Sequence, residues 1–178
     1  ISRLVFSRAA AMICAMVETG SDDQESRPII AASMFGNTTE CINIAKKVLE
    51  DAGYEVLVFH ATGAGGRAME DLIASGMVSG VLDVTTTEWA DELVGGTLGA
   101  GPTRLDAAAQ AGIPAVIAPG CLDMVNFGAR ETVPGSFEGR NFYIHNPQVT
   151  LMRTTANECA QLGKIIAEKA NSYQAPVT

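Results

Sequence analysis

PIIAASMFGNTTECINIAKKVLEDAGYEVLVFHATGAGGRAME, residues 28–70, is the stretch that decides the fold. Ile29–Met34 and Glu55–His60 are short, mostly apolar runs, as strands covered on both faces must be. Between them Ile42, Ala45, Val48 and Leu49 recur at helical spacing within Thr39–Ala52. Gly53 follows, where a helix end wants a left-handed residue. Strand, helix and strand joined by short loops predict a right-handed parallel crossover. The alternation continues outward, with strands at Gly80–Val84, Ala115–Pro119 and Phe142–His145. Helices read at Gly66–Ser75, Trp89–Val94, Thr103–Ala111 and Thr154–Asn171, two of them closed by Gly76 and Gly112. The pattern predicts an α/β fold: a doubly wound, Rossmann-like or flavodoxin-like parallel sheet of about five strands with helices on both faces. Analogy with flavodoxin-like sheets predicts the strand order 2-1-3-4-5.

Residues 1–19 read as a further helix outside that unit, and Met12, Ile13, Met16 and Val17 make its second half apolar nearly all round. A polar stretch, Gly20–Arg27, reads as a linker. The expected organisation is a connector helix and linker over 1–27, an α/β domain over 28–172 and a frayed tail over 173–178. A chain that opens at Ile1 inside a helical pattern reads as part of a longer protein that lacks its N-terminal half. The uncovered helix predicts a homodimer or larger assembly.

Composition narrows the function classes. A chain of 178 residues, 47% hydrophobic and 18% charged, can bury a single sizeable core and is not disordered. Twelve basic against 20 acidic residues leave a net charge of -8, with a pI near 4.7. Arg67, Arg104, Arg130 and Arg153 are scattered singly, so no basic patch offers itself to a nucleic-acid backbone. Cys14, Cys41, Cys121 and Cys159 form no CxxC pair and read as reduced thiols of a cytoplasmic protein. No apolar run approaches the ~18 residues that read as a membrane span.

Ligands of open parallel sheets bind beyond the carboxyl ends of the strands. Five such segments, Ser33–Thr39, His60–Arg67, Thr85–Glu88, Gly120–Asn126 and His145–Gln148, are rich in short polar residues. Helix capping explains some of them; a polar ligand site explains their convergence. Gly63-Ala-Gly-Gly-Arg-Ala68 fits G-x-G-x-x-A, and Asp83 follows at a dinucleotide-like distance, although the loop follows the second strand of the unit. Gly63, Gly65, Gly66 and Arg67 are therefore candidate anion contacts, where a β-carbon would block backbone approach. Gly36, Asn37, Thr38, Thr86 and Thr87 are candidate pocket residues. Thr85 and Glu88 have capping-box spacing. His60, Glu88, Asp123 and His145 supply hydrogen bonds or, in a hydrolase- or lyase-like enzyme, acid–base groups. Cys121 after a strand invites a Cys–His–Asp reading, against which stands a buried inert thiol. No Walker A sequence occurs, and no metal-ligand spacing is present.

Ser33–Thr39, Phe59–Met69, Leu82–Glu88, Gly120–Phe127 and His145–Thr155 together resemble the uncharacterised bacterial and plant family that includes the tomato tobamovirus-resistance ATP-binding protein. The resemblance covers essentially the whole chain. It implies two α/β halves, of which this is the second, a Rossmann-like fold and a tendency to dimerise. It also implies binding of ATP, with or without Mg²⁺, by at least the plant member, whose activity is inhibition of a viral replication protein. The expected function is binding of a nucleotide or another phosphorylated or anionic small molecule; an enzyme and a protein-interaction module are the alternatives.

Overall fold

Ala31, Ala32 and Ser33 are all but sealed from solvent, because their strand lies between two neighbours with helices above and below. The computed structural model describes residues 2–19 and 26–178. β1 (Ile29–Met34), β2 (Glu55–His60), β3 (Val78–Thr85) and β4 (Ala115–Gly120) form one parallel sheet in the order β2-β1-β3-β4. α2 (Thr39–Asp51), preceded by α1 (Ser2–Thr19), covers one face, where Ile42 packs with Ala32 and Val56. α3 (Ala64–Ala74) and α5 (Ala107–Ala111) cover the other, where Met69, Ile73 and Ala108 pack with Ala31, Val81 and Ala115. The turn glycines Gly53, Gly76 and Gly112 all have positive φ, as their positions after helices demand.

The fifth predicted strand behaves differently. β6 (Phe142–Asn146) belongs to a separate antiparallel sheet, β5-β7-β6, with β5 (Met124–Phe127) and β7 (Val149–Arg153). Only Pro147 and Gln148 separate β6 from β7, and a joint that short permits antiparallel pairing alone. Asn146 shapes it, its side-chain oxygen accepting from the Gln148 amide at 2.9 Å. α4 (Glu88–Val94) and α6 (Ala156–Asn171) pack on this sheet through Trp89, Val125, Phe127, Met152 and Leu162. A capping box starts α6: Thr155 accepts from the Glu158 amide at 3.2 Å, and Glu158 accepts from the Thr155 amide at 2.7 Å.

The tail is not frayed. Val177 bridges Ala115 in parallel, and the Ile117 amide donates to the Thr178 carbonyl at 2.7 Å. The place beside β4 expected for the fifth parallel strand is thus taken by the end of the chain, which satisfies backbone groups on an otherwise open edge. The large apolar residues of α1, among them Phe6, Met12 and Met16, are exposed. Most of the predicted linker, residues 20–25, lies outside the described residues.

The Tyr173 hydroxyl donates to the Leu105 carbonyl at 3.1 Å, tying the tail to the loop before α5. Tyr173→Phe should lower stability by about 1 kcal/mol, and removal of residues 173–178 by more, read from urea unfolding midpoints. Truncation with an unchanged midpoint would mean that the tail contributes nothing.

Candidate functional site

The glycine loop at the start of α3 does bind a carboxylate, and it belongs to the chain itself. Oε1 of Glu88 accepts from the amides of Gly63 at 2.6 Å and Gly66 at 3.1 Å. A β-carbon on Gly66 would collide with that carboxylate, and one on Gly65 with the His60 carbonyl. Gly63 adopts φ +79, and a β-carbon there would lie 2.8 Å from the Gly99 carbonyl oxygen. The close approach for which the glycines were singled out is real, but its occupant is Glu88. The expected capping box between Thr85 and Glu88 is consequently absent, since Glu88 turns inward instead of back along its own helix.

Glu88 is one corner of a buried cluster. Arg104 donates from Nε to Glu88 at 2.8 Å, from Nη2 to Asp83 at 2.8 Å and from Nη1 to Glu70 at 3.1 Å. Asp83 also accepts from Ser33 at 2.6 Å, so it is an internal partner of Arg104 and not a free ribose ligand. Glu70 closes the network by accepting from the Leu105 and Ala107 amides at 2.8 and 2.9 Å. Burial pushes the Glu70 carboxyl above its ordinary range, although those amides and Arg104 pull it down. Burial opposes the charge on Arg104, but Asp83 and Glu88 hold the guanidinium firmly protonated. Arg104→Met would strand three carboxylates in the interior. It should cost about 3–5 kcal/mol in chemical denaturation at pH 7, and a loss below about 1 kcal/mol would mean that the cluster is not structural.

Several other sequence candidates also have internal partners. Thr86 and Thr87 are fully buried, with Thr86 Oγ1 donating to the Ala118 carbonyl at 3.2 Å. Thr38 accepts from the Phe35 amide at 2.9 Å and shares a hydrogen bond with Thr85 at 2.7 Å. Arg67 donates to the Gly99 carbonyl at 2.9 Å. Asp123 lies in a different groove, beside Leu162 and Cys159, paired with Arg153 at 2.9 Å. Burial and the nearby Asp123 charge push the Cys121 thiol up, away from the thiolate form a nucleophile needs.

Four candidates do converge. Gly36, Asn37, His60 and His145 line one cleft of about 660 Å³ at the carboxyl edge of the parallel sheet. The 3-10 turn Gly36–Thr38 leads into α2 and brings Gly36 and Asn37 to the cleft, while Thr39 and Glu40 at the start of α2 line a separate groove. Phe35 and His60 stack with ring centroids 5.3 Å apart. Thr97, Leu98, Asn126, Phe127 and Gln148 supply most of the remaining wall, and none of the lining residues is Lys, Arg, Asp or Glu. Thr97, Leu98 and Phe127 are absent from the sequence candidates, and Asn126 entered only as the end of a rim segment. A visible signal was Asn126 itself, a lone amide between Val125 and Phe127.

Asp91 holds that wall together. It accepts from the Leu98 amide at 3.2 Å, the Asn126 amide at 3.0 Å and Asn126 Nδ2 at 2.7 Å. Burial pushes its carboxyl up to about 6, against the pull of these hydrogen bonds. A carboxyl raised by folding contributes stability that is full below its unfolded value, near 3.8, and is lost as pH rises through about 6. Asp91→Asn cannot titrate. Its stability relative to the unsubstituted protein should therefore rise between pH 4 and pH 7, by on the order of 2–3 kcal/mol. Urea unfolding of both proteins across that range measures the difference; a constant offset would mean that Asp91 does not titrate there.

Among the described residues no group of three His, Cys, Asp or Glu side chains is placed to hold a metal ion. None of the described helices is long and apolar enough to cross a membrane. Comparison with known proteins gives the chain its place. A UPF0261 protein of Clostridium tetani is 60% identical over 172 residues, covering 96% of this chain and 43% of the relative. A UPF0261 protein of Rhizobium meliloti is 49% identical over 177 residues, covering 99% and 44%. The ToMV resistance protein Tm-1(GCR237) of Solanum lycopersicum is 45% identical over 183 residues, covering 99% of this chain and 24% of the relative. The chain therefore spans less than half the length of these relatives. A solved cystathionine gamma synthase of Xanthomonas oryzae pv. oryzae reaches a TM-score of only 0.28 at 12% identity, over 83% of this chain and 37% of that one, and carries no argument. The family model described as the C-terminal domain of the uncharacterised protein family UPF0261 matches residues 27–178, and the chain belongs to that family.

Proposed function

We propose that this domain binds a nucleotide, such as ATP, or another small phosphorylated or carboxylated molecule in the cleft between Phe35–Asn37, His60 and the β6–β7 turn. The observation that carries the reading is the meeting of both histidines with the Phe35–Asn37 turn that precedes α2 in one cleft of ligand size. An anionic group fits the free amides of Gly36 and Asn37, where the helix dipole favours negative charge. Phe35, Leu98, Phe127, Val149 and Leu151 offer apolar walls to a ring or chain. No carboxylate lines the cleft, so a Mg²⁺ ion would arrive on the phosphates of its ligand and not on a protein cage.

The glycine-loop candidates support this site indirectly. Gly63, Gly65, Gly66 and Arg67 hold α3, His60 and the loop around Gly99 in place, and Thr38, Thr86 and Thr87 brace the strand ends behind the cleft. Acid–base catalysis by all four candidates would require them to share one space, and only His60 and His145 do. The exposed apolar side chains of α1 favour a separate role for that helix, in meeting the N-terminal half of the parent protein or a second copy.

Calorimetry on the full-length protein tests the reading with AMP, ATP and inorganic phosphate. Asn37→Asp, which sets a like charge beside the anion, and His60→Ala should each weaken nucleotide binding by about 1 kcal/mol, while Arg67→Ala should leave it within a factor of two. Weakening by Arg67→Ala alone would move the anion to α3. Equal affinity in all three variants would remove the ligand from this cleft.

A further inference from the structure

We propose that Asn126 determines specificity in the cleft by selecting ligands that present a hydrogen-bond donor, an amino or hydroxyl group, to its side-chain oxygen. The inference rests on the binding role proposed above and adds the chemistry that the ligand must show at one wall.

Asn126 is only 3% exposed. Its backbone amide and its Nδ2 both donate to Asp91, at 3.0 and 2.7 Å. A carboxylate can only accept, so the nitrogen of the Asn126 amide must face Asp91 and the oxygen must face away. The residue cannot swing as a unit. Its carbonyl accepts from the Thr97 amide at 2.8 Å and from Thr97 Oγ1 at 3.1 Å, and its register partner in β7 is Leu151.

Leu151 lines the same cleft as Asn126, which places both on the cleft side of the antiparallel sheet. Among the described residues, Oδ1 of Asn126 accepts no hydrogen bond. Oδ1 is not among the sealed atoms that lack a partner, so this acceptor of fixed orientation opens to solvent, where the donor of a ligand can take the place of water. Because no Lys, Arg, Asp or Glu lines the cleft, recognition at this wall falls to the Asn126 amide. Asp91 acts as a positioning residue, since it chooses which end of the Asn126 amide the cleft sees.

The experiment compares AMP with analogues that each lack one donor: purine riboside 5′-monophosphate without the amino group, 2′-deoxy-AMP and 3′-deoxy-AMP. Binding is measured by calorimetry on the full-length protein. One analogue should bind roughly 10–100-fold more weakly than AMP, the loss expected for a buried acceptor left unpaired. Asn126→Ala should abolish that difference. Asp91→Asn, which is nearly isosteric and serves if Asn126→Ala fails to fold, should also abolish it. An amide at 91 that accepts the Leu98 and Asn126 backbone amides turns its NH2 toward Asn126, which must then rotate and show nitrogen to the cleft.

AMP bound as tightly as all three analogues would overturn the inference and leave the binding site standing. A penalty that survives in both variants would also overturn it. No binding of either AMP or ATP would remove the nucleotide reading, and this one with it.

Discussion

The fold is organised around one guanidinium. Arg104 is buried and touches carboxylates from three elements, Asp83 on β3, Glu70 on α3 and Glu88 at the start of α4. Three carboxylates around one cation would be unstable in a dry interior if Coulomb attraction were their sole support. Backbone amides supply the remainder: Gly63 and Gly66 to Glu88, Leu105 and Ala107 to Glu70, with the Ser33 hydroxyl on Asp83. Glu88 and Glu70 thus join Arg104 to two different pieces of backbone, and Asp83 joins it to the Ser33 side chain on β1. The same side chains that balance charge also fix where α3, α5 and the central strands sit relative to one another.

That arrangement changes what the glycine loop means. In a dinucleotide-binding loop, the amides at the helix start are left open for a phosphate. Here the loop has the same physical requirements, close backbone approach and a negative charge at the helix end, and Glu88 meets them from inside. Space for a ligand is displaced one strand over, toward the amino end of α2 and the small antiparallel sheet. No Lys, Arg, Asp or Glu lines that space, and the Arg104 cluster lies outside its lining.

Elements with their own periodicity and stop signals were legible in the sequence. Ile42, Val48 and Leu49 marked α2, Gly53, Gly76 and Gly112 marked ends, and the parallel order β2-β1-β3-β4 matches the analogy with flavodoxin-like sheets. β5 and β7 were not legible, because Met124–Phe127 is only four residues long and Val149–Arg153 follows β6 with just Pro147 and Gln148 between, so neither is set off by a helix. The tail was misread for a related reason. Tyr173 and Val177 look dispensable until the open edge of β4 is known to lie beside them. In the site, residue types at strand ends pointed to Gly36, Asn37, His60 and His145, but the partners of Glu88, Asp123 and Thr86 are set by tertiary neighbours that spacing does not encode.

α4 connects the two halves of this picture. Glu88 and Asp91 stand three residues apart and therefore share one face of the helix. Both are almost completely buried, yet they face different tasks: Glu88 enters the Arg104 cluster, and Asp91 grips Leu98 and Asn126 at the wall of the cleft. Trp89 points elsewhere, into the apolar core against α6 and the small sheet. Four of the seven residues of this helix, Glu88 to Asp91, are buried. The charge cluster and the hydrogen-bonding wall of the cleft are therefore anchored to the same short helix, one through Glu88 and the other through Asp91.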